Sequence, residues 1–227
     1  MEDHSNVDFL VVAAHAPEME GLRGLLGDGF RATVGEVRVA AVAVGIGLVA
    51  SASGTMGALH AYAPRAVIQL GTCGVYTHRR LQDHQPPIVI GQVVVARRIH
   101  LASVASVDGR GILPTAMRVS VDADRALASA LCGGDATMAD VATTLAITTD
   151  EALAGHLALA HSCDVEHLEA FAVAQACASR SVPFAAVFAA ANDVGAQAHD
   201  QWRAHHQAAG ARAAAHVATW LKAGAPR

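Results

Sequence analysis

Residues 184–191 form an uninterrupted apolar stretch, bounded by Pro183 on one side and Asn192-Asp193 on the other. A run of that length without polar alternation is a strand covered on both faces, not one lying on a wet surface. Short apolar runs recur at 9–14, 37–44, 66–70, 91–98 and 140–148. Helix-like stretches follow several of them, at 17–26, 47–62, 169–179 and 199–221. Pro17 suits the first turn of its helix, and Ala63-Pro64 ends the next one. Residues 30–34 and 37–44 read as paired strands joined at Gly35-Glu36. A further strand is predicted at 118–121 and a helix at 124–131. Strands alternating with helices predict an α/β fold of three layers, α/β/α, around a central mixed, twisted sheet. No linker or repeat divides the chain, so residues 1–227 are expected to form a single domain. The most loop-like stretches are 77–87 and 102–116, and loops of that length often border sites.

Composition narrows the partners. The chain is 53% hydrophobic but only 4% aromatic, and Ala and Val supply most of the apolar content. Small side chains let helices approach a sheet closely. The longest apolar run, 39–50, is interrupted by Gly45 and Gly47 and is too short to cross a bilayer, so no membrane partner is expected. The net charge is −4 and no long basic run exists, which argues against nucleic acid. Residues 1–8 are acidic and polar, unlike a secretory leader, so a cytoplasmic protein is expected. Cys73, Cys132, Cys163 and Cys177 match neither a zinc spacing nor a disulfide framework. They read as buried free thiols in a reducing compartment. Thirteen histidines are present but no His-Glu-x-x-His motif, so no metal site is predicted. His205-His206 reads as the wet face of a helix.

Ligands of α/β sheets gather at the carboxyl ends of strands, which directs attention to polar residues that follow apolar runs. Asp193 closes the 184–191 stretch. A carboxylate there loses part of its hydration, which suits a general acid; capping the last helix or closing a turn explains it equally well. Glu169 opens an Ala-rich helix, where the dipole favours an acid; a carboxylate is also the group to accept hydrogen bonds from two adjacent ribose hydroxyls. Glu20 follows the first strand and by itself reads as a helix N-terminal charge. Gly45-Ile46-Gly47 invites a dinucleotide reading, but that fingerprint needs an acid about 20 residues on. Residues 37–82 contain no Asp or Glu, so no such cofactor is predicted, and these glycines read as points of close backbone approach.

Taken in order, these pieces resemble the nucleoside phosphorylase/nucleosidase superfamily, and most of all its 5′-methylthioadenosine/S-adenosylhomocysteine nucleosidase branch. Ala16-Pro17-Glu18-Met19-Glu20 resembles the family's Ala-Met-Glu-Glu-Glu. The stretch from Val44 through Gly45-Ile46-Gly47 to Ser51 resembles Ser-Gly-Ile-Gly-Lys-Val-Ala-Ala. Gln69-Leu70-Gly71-Thr72-Cys73-Gly74 resembles Asn-Thr-Gly-Ser-Ala-Gly, and Gly91-Gln92-Val93-Val94-Val95 resembles Gly-Asp-Ile-Val-Val. The stretch at 165–174 is similar to the one around Met-Glu-Ala-Ala-Ala-Ile-Ala. Val182-Pro183-Phe184 and Ala191-Asn192-Asp193 are similar to Val-Pro-Phe and Ile-Ser-Asp. The resemblance spans nearly the whole chain. It implies a nucleoside phosphorylase-like fold and an enzyme that cleaves the N-glycosidic bond of a purine nucleoside by hydrolysis, without a cofactor.

The resemblance also implies roles. Asp193 would protonate N7 of the leaving purine, Glu20 would deprotonate the attacking water, and Glu169 would hold the ribose 2′ and 3′ hydroxyls. Thr72 would sit beside the water, Leu168 would lie under the ribose, and Gly71, Ala152 and Asn192 would be among the substrate-binding positions. Departure of the base leaves an oxocarbenium-like ribose. The hexameric phosphorylases place arginines in the first loop and at the later glycine turn to clamp phosphate; here those positions carry Glu20 and Gln69, which favours water as nucleophile. The chain departs from the pattern elsewhere. The purine-stacking phenylalanine falls near Ala152, a glutamate is replaced by His167, and a basic residue by Ala189. Glu166-His167-Leu168-Glu169, Asn192 and Trp202 are similar to futalosine hydrolases. A phosphorylase, a futalosine hydrolase and a nucleoside-binding protein without catalysis remain alternatives. Relatives form homodimers in which a partner loop reaches the substrate's 5′ end, and 99–116 is the stretch that would do so here.

Overall fold

The computed structural model describes residues 6–77 and 85–225. Residues 78–84, within the predicted 77–87 loop, lie outside the described residues. Strand β1 (Phe9–Ala13) is buried along its whole length, and its alternate residues feed two different cores. Phe9, Val11 and Ala13 pack into one, Leu10 and Val12 into the other, as the twofold side-chain period of a strand requires. A 3₁₀ segment, Ala16–Leu22, and the short helix α1 (Arg23–Leu26) follow. The hairpin β2 (Arg31–Val34) and β3 (Val37–Ala43) leads into α2 (Leu48–Tyr62). Next come β4 (Ala66–Val75), β5 (Val93–Leu101), α3 (Val104–Val107), β6 (Ser120–Asp122) and α4 (Arg125–Leu131). The chain continues through β7 (Thr137–Thr143), α5 (Glu151–His161), β8 (Val165–His167), α6 (Ala170–Ser179), β9 (Phe184–Asp193) and α7 (Ala198–Lys222).

The described strands form one nine-stranded mixed sheet in the order β2-β3-β1-β4-β8-β7-β5-β6, with β9 pairing both β4 and β5. β1 runs parallel to β3 and β4, and β9 parallel to β4. β8 is antiparallel to β4 but parallel to β7. β4, β9, β5, β7 and β8 therefore pair in a closed circuit inside the larger sheet. Leu127, Leu131, Val217 and Leu221, from α4 and α7, cover one face. Ala58, Leu59, Val173 and Cys177, from α2 and α6, cover the other. This is the three-layer α/β/α arrangement with a mixed sheet.

The elements differ from the sequence reading in several places: β4 runs on to Val75, so 71–74 is strand and not a turn, and the short α3 lies within the predicted 102–116 loop. The strand predicted at 140–148 ends at Thr143, and 144–150 leads into α5, which the sequence reading lacked. Asp150 caps that helix, its carboxylate accepting from the Leu153 amide at 2.7 Å, so an N-cap lies two residues past the end of the predicted strand. The helix predicted at 17–26 is mostly a 3₁₀ segment. β8, three residues long, is too short to show an apolar pattern. All four cysteines are free, three of them buried and Cys132 half-buried. No described helix is long and apolar enough to cross a membrane.

Candidate active site

The carboxyl ends of β1, β4 and β9 lie side by side; Glu18 follows β1, Asp193 ends β9, and Glu169 follows β8. Pro17 opens the 3₁₀ segment, and Glu18, half-buried at its third position, turns back toward the sheet. Its Oε2 accepts from the His15 amide at 3.2 Å. Loss of hydration pushes the Glu18 carboxyl up from 4.5 to about 7; the charge of Glu169 adds to this, while the amides of His15, Thr72 and Ala14 oppose it. Gly71 faces this carboxyl across β4, so closely that a Cβ there would lie 3.1 Å from Glu18 Oε1 and 3.2 Å from His167 Nε2. A side chain at position 71 would fill the space these two groups border.

Glu169 is buried at the start of α6. Its side chain makes no capping bond to its own helix. It crosses instead to the amide of Gly47, from which Oε1 accepts at 2.8 Å. Gly47 has φ of +83°, a conformation L side chains rarely adopt, and it is the N-cap of α2. The paired glycines at 45 and 47 thus present a backbone donor to a carboxylate from the other half of the chain. His167 lies beside Glu169, its Nδ1 3.2 Å from Oε2, and its ring stacks on Phe188 of β9 at 4.1 Å.

Asp193 ends β9 opposite Val75 of β4. Phe188 lies opposite Gly71 in the same register. At about 3.3 Å per residue the β4 register sets Asp193 roughly 13 Å along the strand from Gly71. The Asp193 amide donates to Gln201 Oε1 at 2.7 Å, and Gln201 Nε2 reaches its Oδ2 at 3.4 Å. The N-cap of α7 is Gln197, so Asp193 does not cap that helix. Asn192 is buried, its Nδ2 donating to the Asp193 carbonyl at 2.9 Å. One turn of α7 also carries Trp202, whose Nε1 donates to Thr72 Oγ1 at 3.3 Å. Thr72 therefore links the Glu18 side of the cleft to the Asp193 side.

Glu20 is a correction. The structure places it outside this cluster: its side chain is 52% exposed and holds Arg23 through both oxygens, each at 2.8 Å. Residues two apart on a 3₁₀ segment point in different directions, so only one of the two glutamates can face the sheet, and it is Glu18. Leu168 is half-buried between His167 and Glu169. Ala152 sits exposed on the first turn of α5, and nothing in its surroundings makes it a wall of the cleft. Ala189 is fully buried within β9, where a basic side chain has no room. Gln69 is buried in β4, 1% exposed.

Sequence reasoning missed the support beneath the cleft. Glu166 is buried and accepts from Tyr76 Oη at 2.8 Å, from Thr148 Oγ1 at 2.7 Å and from the Thr148 amide at 3.0 Å. It pins the loop after β7, on which Leu145 is 85% exposed and Ile147 47% exposed. Glu166 stands in the sequence reading only as part of Glu166-His167-Leu168-Glu169, and nothing local announces Tyr76 and Thr148 as its partners. Among the described residues, no group of His, Cys, Asp or Glu is arranged to hold a metal ion, and no ion pair joins an arginine or lysine to Glu18, Glu169 or Asp193.

A mixed sheet between two helical layers, with an acidic cleft at its strand ends, defines a nucleoside phosphorylase-like protein. The chain belongs to the Phosphorylase superfamily, whose sequence profile matches residues 8–222. No curated protein sequence matches it. Its fold is similar to 5′-methylthioadenosine/S-adenosylhomocysteine nucleosidase from Streptococcus pyogenes, at 20% identity and a TM-score of 0.81 over 96% of this chain and 97% of that one. The corresponding enzyme from Neisseria meningitidis, in complex with methylthio-immucillin-A, gives 19% identity and 0.79 over 95% and 98%. Futalosine hydrolase of Helicobacter pylori gives 13% and 0.82 over 95% and 98%.

Proposed function

We propose that this chain hydrolyses the N-glycosidic bond of a purine nucleoside, of the 5′-methylthioadenosine or S-adenosylhomocysteine kind, with Glu18 in the part the sequence reading gave to Glu20. The observation that carries the reading is the pair of carboxylates, Glu18 beside Gly71 and Glu169 on Gly47, near enough for the charge of Glu169 to raise Glu18, with no arginine or lysine paired to either among the described residues. An inorganic phosphate there would meet two acids and no cation, whereas water meets a base. Glu18, raised to about 7, is poised to accept a proton near neutral pH. The step balances as follows. Water gives a proton to Glu18 and its oxygen bonds to C1′; the C1′–N9 bond breaks, its electron pair passes to the purine, and Asp193 supplies a proton to N7. Glu169 accepts from the ribose 2′ and 3′ hydroxyls. Structural likeness to the nucleosidases supports the reading.

The test is to incubate the pure protein, without phosphate, with methylthioadenosine, adenosine and futalosine, and to follow free base by chromatography. Release of adenine from the first is the expected result; phosphate-dependent turnover yielding ribose-1-phosphate would replace this reading with phosphorolysis. Release of base from futalosine alone would move the chain to the hydrolase branch that Trp202, bonded to Thr72, resembles. Binding without cleavage would leave a nucleoside-binding protein. We further propose a cytoplasmic homodimer. Its four free cysteines suit a reducing compartment. Exposed Ile46, Val49 and Met56 on and before α2, with Ile112 at 96% exposure in the 99–116 stretch, offer apolar surface for a second copy. Sedimentation at micromolar concentration reads the assembly.

A further inference from the structure

His167 is held more tightly than a packing residue needs to be. Its ring is buried on β8 and stacked on Phe188, and Nδ1 accepts from the Glu169 backbone amide at 3.1 Å. Burial pushes its pKa below the usual histidine range, although the charge of Glu169 works the other way. A neutral imidazole has one N–H, and the nitrogen that accepts from an amide is not the one that carries it. Although Glu169 Oε2, 3.2 Å from Nδ1, pulls the other way, the amide contact thus sets the proton on Nε2. That nitrogen borders the space over Gly71, opposite Glu18 Oε1. No direct hydrogen bond or ion pair joins the two among the described residues, so they stand apart across that space.

We propose that His167 holds the attacking water: Nε2–H donates to the water oxygen, and the water donates to Glu18 Oε1. This rests on the hydrolytic reading above and assigns the nucleophile a place. Two fixed hydrogen bonds leave the water a free lone pair for C1′. Glu18 takes the proton in the reaction and His167 keeps its own throughout. Position 71 is glycine because a Cβ would occupy the water's place.

Two measurements test this. Nitrogen-15 NMR of the imidazole in the whole protein reads the tautomer without any substrate. The Nε2–H form is expected, and an Nδ1–H form overturns the proposal. The second compares His167→Gln, which keeps a donor near the Nε2 position, with His167→Asn, which keeps an acceptor for the Glu169 amide but loses that donor. His167→Asn is expected to lower kcat about 10²–10³-fold with KM nearly unchanged, the cost of losing one preorganised donor. His167→Gln is expected to retain most of kcat. An Asn variant as active as the Gln variant, both folded, overturns the proposal, since a purely structural histidine would favour Asn. Inactive wild type against every nucleoside sinks the hydrolytic reading and this inference together; active wild type with the wrong order of variants sinks this one alone.

Discussion

Replacing Glu18 with glutamine separates its two burdens, one on stability and one on chemistry. Loss of hydration raises this carboxyl from 4.5 to about 7 in the native protein. A native pKa above the unfolded one means that folding favours the protonated acid. Wild type should therefore carry no penalty from this group below about pH 4.5, lose stability as pH rises, and bear the full cost above about pH 7. At about 1.4 kcal/mol per unit the ceiling is about 3 kcal/mol, and partial solvent access brings it to about 2–3. Glutamine has no charge to desolvate, and its carbonyl can still accept from the His15 amide. For a chain of this size, where 1 kcal/mol moves Tm by about 2–4 °C, Glu18→Gln should melt about 4–12 °C above wild type at pH 8 and level with it near pH 4. Calorimetry at the two pH values is the assay. Base release by the same variant should fall about 10²–10⁴-fold, the usual worth of a general base. A melting gap of equal size at both pH values would refute the reasoning, since an effect of packing alone does not track ionisation.

Glu20→Gln should leave kcat/KM for base release unchanged, because its carboxylate faces Arg23 and solvent; a loss comparable to that of Glu18→Gln would return the role to Glu20. Asp193→Asn should reduce release by about 10²–10⁴-fold while circular dichroism and Tm stay close to wild type, because the amide oxygen of asparagine can still accept from Gln201 at this half-buried strand end. Tyr76→Phe removes one donor from the buried Glu166 carboxylate and should cost about 1.5–3 kcal/mol in denaturant unfolding, with KM rising as the 144–150 loop loosens; an unchanged midpoint would show that Thr148 alone holds Glu166.

The parts of the fold that were legible are those whose signal is local. β1 and residues 184–191 of β9 are continuous apolar runs, and β4 is largely one, as strands covered on both faces tend to be. Asp193 and Glu169 could be picked out because each stands where such a run meets polar sequence. The choice between Glu18 and Glu20 was not legible. Both are acids in the same short motif, and which one faces the sheet depends on a 3₁₀ turn set by Pro17, which an α-helical period misplaces. α5 was hidden because 140–148 reads as one β-branched strand and Asp150 resembles any loop residue until its bond to Leu153 is seen. Nothing local in Gly47 announces that its amide serves Glu169, since the two lie 122 residues apart; such contacts belong to the topology. His167 stood out as a departure from the family pattern, but its meaning came only from Phe188 on one side and Gly71 on the other.

A hoop of strands is only as sound as its clasp, and here the clasp is β8. Its three residues alone tie β7 to the far end of β4, and the chain runs straight from it into Leu168 and Glu169. Fastening the hoop and delivering an acid to Gly47 are thus one event. Were a ribose to bind Glu169, the backbone amides of 165–169 should exchange hydrogen more slowly, with the rest of the sheet left as it was.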